Sequence, residues 1–93
     1  MNKEELTKLV LDVINTMTVM SDHSPAKPSD HFEGDLWLDS LDKTDLSYEL
    51  VNEINKHNVF IQESDIEEFW LDYGDKTVQQ LINYLAGCLK IKD

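Results

Sequence analysis

Apolar residues recur at three- and four-residue spacing in the first segment, at Leu6, Leu9, Val10, Val13, Ile14 and Met17. That period predicts an amphipathic helix from about Asn2 to Thr18, with Glu4 and Glu5 suited to its positive end. From Ser21 to Asp39, "SDHSPAKPSDHFEGDLWLD", the period breaks. Pro25, Pro28, Gly34 and several Ser and Asp residues predict a long loop, with a short helical turn expected near Ser29 to Glu33. Phe32, Leu36, Trp37 and Leu38 are apolar enough to pin this loop to a core. Loops of this length in small domains tend to be functional or disordered.

Periodicity resumes from about Ser40 to Lys56, where either Asp39 or Ser40 can cap a second helix. At about 100° per residue its side chains sort onto faces. Leu46, Leu50 and Ile54 form one stripe, flanked by Ser47 and Val51. Leu41, Thr44 and Tyr48 form another, nearly opposite. Asp42, Asp45, Glu49 and Glu53 run between the two. In "NVFIQ", Asn58 to Gln62, Val59 and Ile61 are core candidates. Ser64 and Glu67 have the spacing of a capping box, predicting a short helix from about Glu63 to Leu71 with Ile66, Phe69 and Trp70 as core candidates. Gly74 follows as a terminator. Thr77 and Gln80 offer another capping box, opening a last helix whose apolar face is Val78, Leu81, Ile82, Leu85 and Leu89 and which ends near Lys90. No useful strand alternation and no repeat is found. The expectation is an all-α four-helix bundle, three longer helices plus a short third, with a long loop between the first and second helices. A length of 93 residues suits a single domain.

Charge narrows the partners. Nineteen acidic against eight basic residues give a net charge of -11. The basic residues are all lysines, scattered along the chain, whereas backbone binding to nucleic acid needs clustered Lys and Arg. Nucleic acid and anionic membrane are poor candidates, and basic protein surfaces are better ones. No apolar run is long enough to span a membrane, and "MNKEELTKLV" lacks a signal-peptide core, so a cytoplasmic monomer is expected.

Autonomous catalysis finds little support. His23, His31 and His57 have no spacing that joins them to a nucleophile. Cys88 is the only cysteine, which excludes a disulfide framework and a multi-cysteine metal site. The acidic stretch "DLWLDSLDKTD" lacks the order and turn glycine of a calcium loop, there is no zinc motif, and "LDYGDK" reads as a turn. Neither a catalytic residue nor a metal ligand is expected. Ser40 draws attention instead. A serine at a helix start is ordinarily a cap. This one heads a helix with apolar residues off its core face, bordered by carboxylates, and an anion attached there would meet the positive helix end.

The residues that carry a resemblance are Phe32, Asp35-Leu36, "DSL" at Asp39 to Leu41, the acidic amphipathic helix after it, and the late "TVQQLINYL" from Thr77 to Leu85. Together they resemble the acyl carrier protein family over nearly the whole chain. The resemblance implies a four-helix bundle with a long first loop. It implies that Ser40 carries 4'-phosphopantetheine, installed from coenzyme A by a separate magnesium-using phosphopantetheinyl transferase. Asp39 would help that enzyme and its metal engage the site. Leu41, Thr44 and Tyr48 would form an apolar contact stripe, and Asp42, Asp45 and Glu49 an acidic surface for basic partners. Those partners would be acyl- or aminoacyl-loading ligases or transferases and downstream synthases of fatty acid, lipid or specialised metabolite synthesis. The chain departs from fatty-acid-synthesis members, which usually have a small residue, often after glycine, just before "DSL". Here Trp37-Leu38 stand there. Thr44 and Tyr48 replace the usual Val and Met, and the third-helix region is longer and aromatic. In these respects it has some likeness to D-alanyl carrier proteins and to carrier domains of peptide or polyketide assembly. Two other readings remain open, a small acidic helical interaction module without a cofactor and a calcium-responsive acidic protein.

Overall fold

In a computed structural model, residues 1–17, 25–71 and 74–91 are described. Four helices occur among them: α1, Lys3–Met17; α2, Ser40–Asn55; α3, Glu63–Trp70; and α4, Val78–Cys88. They lie close to the ranges that the periodicity predicts. Thr18, the expected end of α1, lies outside the described residues, as does His23. Each helix packs on two others, in the ring α1–α2–α3–α4–α1. The predicted apolar faces meet inside it. Leu6, Val10, Ile14, Leu46, Leu50, Ile54, Ile66, Leu81, Ile82 and Leu85 are all fully buried. The fold is therefore all-helical, a small four-helix bundle.

Helix ends follow local chemistry, with one correction. Asn2 Oδ1 accepts from the Glu5 amide at 2.8 Å and opens α1. Thr77 and Gln80 form the expected capping box of α4. At α3 the start is closed not by Ser64 with Glu67 but two residues earlier, at Gln62, where Asp65 supplies the side-chain contact. The Gln62 amide donates to Asp65 Oδ2 at 3.0 Å. The reason is Ile61, 1% exposed. Its amide is held by Asn55 Oδ1 at 3.1 Å, so the chain turns into the helix immediately after it. Helix α4 closes with Lys90 at φ 57°, the Ile91 amide donating to the Ala86 carbonyl and the Lys90 amide to that of Gly87.

The long loop is ordered from Pro25 onward by burial and by α4. Phe32 is fully buried, and Leu36 and Leu38 are 6% and 8% exposed. Trp37, expected to pin the loop with them, is instead 73% exposed. The expected helical turn at Ser29 to Glu33 does not form. Residues 28–29 and 32–36 make turns, and between them His31 forms an isolated antiparallel bridge with Thr77. The bridge explains the difference. The Phe32 amide donates to the Lys76 carbonyl at 2.9 Å and the Val78 amide to the Asp30 carbonyl at 2.9 Å, which holds this stretch extended against the start of α4.

Candidate functional site

Asp39, Ser40 and Leu41 stand where this loop enters α2. Asp39 is the N-cap, extended at φ -92° and ψ -174°. Its Oδ1 accepts from the Asp42 amide at 2.9 Å, and the Asp39 amide donates to Asp42 Oδ2 at 3.2 Å. This reciprocal pair satisfies two donors of the helix start, the Asp39 and Asp42 amides. The choice between Asp39 and Ser40 as cap thus falls to Asp39. Ser40 is the first helical residue and exposed, and its hydroxyl makes no hydrogen bond among the described residues. Its carbonyl accepts from Thr44 Oγ1 at 3.1 Å. The Ser40 and Leu41 amides likewise have no partner among the described residues.

The entry to α2 is held from three sides. Asp75 accepts from the Glu33 amide through Oδ1 and from the Gly34 amide through Oδ2, each at 2.9 Å. A Cβ on Gly34 would stand 2.9 Å from Asp75 Oδ2, so a bare α-carbon lets this carboxylate sit so close. Lys43 in α2 reaches back to Glu33 Oε1 at 3.0 Å, and its ammonium lies 5.4 Å from the centre of the Trp70 ring. The Trp70 indole N–H donates to Ser47 Oγ at 3.0 Å, and Ser47 Oγ donates to the Lys43 carbonyl at 2.9 Å. Phe32 meets Trp70 edge to face at 5.0 Å between centroids. Loop, α2, α3 and the α4 approach thus converge behind the Asp39–Ser40 corner. In the loop itself, the His31 amide at 2.7 Å, followed by the His31 ring, holds the Asp35 carboxyl below its ordinary range.

The two faces expected on α2 separate as the periodicity predicts. Leu41 is 71% and Tyr48 49% exposed, and Thr44 is exposed between them. Glu63 of α3, with Glu67 behind it, pushes the Tyr48 phenol above its ordinary range. Asp45 and Glu49 are exposed, whereas Asp42 is half-buried and committed to the capping box. These carboxylates line a groove of about 780 Å³ between α1 and α2, where Asp12 joins them and Val13, Met17 and Tyr48 supply apolar wall. Among the described residues no group of three or more His, Cys, Asp or Glu is placed to hold a metal ion. Cys88 is exposed, and partial desolvation, opposed by a hydrogen bond with Tyr84, pushes its thiol above the ordinary range, away from nucleophile character. No helix among the described residues is long and apolar enough to cross a membrane.

Sequence reasoning assigned no role to Asp75, Glu33 or Lys43. Asp75 lies 42 positions from Glu33, and no local period announces such a contact. The only sequence signal is an acid set shortly after Gly74 and before the Thr77 cap. Comparison with protein-family models gives no match, and none is found among curated proteins.

Proposed function

We propose that this chain is a phosphopantetheine-dependent carrier that presents an acyl or aminoacyl group from Ser40. The observation that carries the reading is the division of labour at the α2 start. Asp39 supplies the cap, so the exposed Ser40 hydroxyl is left for modification. A phosphodiester on Ser40 fits the donor set, because the Ser40 and Leu41 amides are available at the positive end of α2. The Asp39 carboxylate opposes that second anion by like charge, and a divalent cation brought by a transferase would offset the repulsion. In the attachment step a Ser40 Oγ–P bond forms and a pyrophosphate P–O bond of coenzyme A breaks. Adenosine 3',5'-bisphosphate departs, and the hydroxyl proton passes to a base of the transferase. When bound, the group supplies a thiol that holds the cargo as a thioester.

The rest of the chain positions and displays Ser40. The Asp75 clamp and the Trp70–Ser47–Lys43 relay keep the corner rigid. Leu41 and Tyr48 offer apolar contact, and Asp45 and Glu49 offer charge for the basic surfaces of a transferase, a loading enzyme and a synthase. The exposed carboxylates and apolar residues suit a cofactor-free interaction module equally well, and Ser40 separates the two readings. The test is intact mass after incubation with coenzyme A, magnesium and a broad-specificity transferase, alongside Ser40→Ala. A gain of one phosphopantetheine on the parent and none on the variant is expected. No gain on a folded parent with more than one transferase refutes the proposal in favour of the interaction module.

A further inference from the structure

The apolar stripe on α2 runs past Tyr48. Leu41, Thr44, Tyr48, Val51 and Asn55 follow one another at three- and four-residue steps, the spacing of one helix face. Leu41 and Tyr48 are exposed, and Val51 is half-buried. Asn55 carries the stripe to the α2–α3 link, where its Oδ1 accepts from the Ile61 amide at 3.1 Å and its Nδ2 donates to the Ile61 carbonyl at 3.4 Å. Ile61 is buried, and Phe60 before it stands outward, 76% exposed. Phe60 and Val51 line a crevice of about 390 Å³ together with Asn55, Gln62, Glu63 and Ser64. The Glu63 carboxylate also acts on the Tyr48 phenol, so phenol and crevice adjoin. Leu41, Tyr48, Val51 and Phe60 therefore make one apolar seam along the 16 residues of α2, about 24 Å. Carboxylates border it on both sides, Asp45 and Glu49 from α2 and Glu63 and Glu67 from α3.

We propose that this seam is the docking site for a single amphipathic helix of a partner protein, apolar along the contact and carrying Lys or Arg on both flanks. The inference goes beyond the carrier reading, because the seam is the same whether or not Ser40 is modified, and its distal half is built by Val51, Phe60 and the start of α3. The occupant is a helix because a stripe stepping by three and four residues is the surface that a second helix fills at a shallow crossing angle. It is basic because acidic borders on both sides favour Lys and Arg across the contact and oppose like charge. A second copy of this chain is a poor occupant. Each copy carries a net charge of -11 and would bring the same acidic borders face to face. Exposed apolar side chains that run together under a polar rim are the usual mark of such a contact.

The test uses the unmodified full chain and a synthetic helical peptide of about four turns, with leucine at three- and four-residue spacing and lysine on both flanks. A scrambled peptide of the same composition is the control. Titration is followed by amide NMR shifts. Shifts are expected along the outer face of α2 and at residues 60–64, with the scrambled peptide binding more weakly. Phe60→Ser is expected to weaken binding about ten-fold, the effect of losing one buried apolar side chain. Leu41→Ser, at the other end of the seam, should do the same. Leu71→Ser removes a side chain that is 72% exposed at the far end of α3, and should leave binding unchanged. Circular dichroism checks that each variant is folded. Equal binding of the two peptides, or shifts spread over the α1 carboxylates as well, shows charge attraction without a seam and overturns the proposal. So does a Phe60-dependent dimer of the parent in sedimentation, which makes a second copy the occupant. None of these outcomes bears on loading at Ser40, which intact mass reads separately.

Discussion

Replacing Asp39 or Ser40 by alanine separates the cap from the attachment site. Asp39→Ala removes the acceptor of the Asp42 amide, a 2.9 Å hydrogen bond. Loss of such a cap costs about 0.5–2 kcal/mol. The same change removes a negative charge beside the positive end of α2, worth roughly 0.3–1 kcal/mol at an exposed position. A central expectation is about 1.5 kcal/mol. For a chain of this size that lowers the melting midpoint by about 6–12 °C, at roughly 4–8 °C per kcal/mol. Ser40→Ala removes a hydroxyl that bonds to nothing among the described residues, and alanine is the better helix former. Its effect should lie within about 0.5 kcal/mol of zero. Asp39→Asn keeps an acceptor and loses only the charge, so it should fall between the two. Urea unfolding followed by far-UV circular dichroism reads all three, with an unchanged slope expected because the surface exposed on unfolding is the same. Ser40→Ala as destabilising as Asp39→Ala would refute the reasoning, since Ser40 would then be the cap. So would an Asp39→Ala effect indistinguishable from zero.

Three other outcomes follow from the same geometry. Asp75→Ala leaves the Glu33 and Gly34 amides without their acceptor. It should cost about 1–2 kcal/mol, with faster hydrogen exchange at those two amides and unchanged exchange in the middle of α4. Trp70→Phe removes the indole donor to Ser47 while keeping an aromatic ring near Phe32 and Phe69. It should destabilise by about 1–2 kcal/mol in urea titrations, and Ser47→Ala in that background should add less than it does alone, because the two share one hydrogen bond. The Tyr84 phenol donates to the Asp65 carbonyl at 2.6 Å, and burial, then the neighbouring Cys88, pushes its pKa up to about 12. The unfolded chain releases that proton near the ordinary value of about 10, so between these values the unfolded state binds fewer protons and stability falls as pH rises. Relative to Tyr84→Phe, the parent should lose additional stability between about pH 10 and 12, and parallel curves would contradict the assigned environment of the phenol.

Much of the fold was legible because helices are written locally. Three- and four-residue spacing marked the buried faces of α1, α2 and α4, and Thr77 with Gln80 marked the start of α4 through a contact three residues long. The same locality placed Asp39, Ser40 and Leu41 at a helix start and set Leu41 and Tyr48 away from the core stripe. Where two local solutions compete, pattern alone could not choose. Asp39 or Ser40 can each cap α2, and the start of α3 admits two registers. Packing decided both. The buried Leu38 and Ile61 fix where the chain arrives, and the arrival point selects which side chain reaches the first-turn amides. The loop lay further beyond sequence reach. Its bridge to Thr77 and its clamp by Asp75 depend on the start of α4 being brought alongside. Hydrogen bonds spanning 41 and 42 positions leave no periodic trace in either partner. The sequence thus determined which faces are apolar and which serine heads α2. The tertiary structure alone decided that Asp39 takes the cap and that the corner before this serine is tied to Asp75, because the loop's arrival there needs groups far apart in the chain to meet.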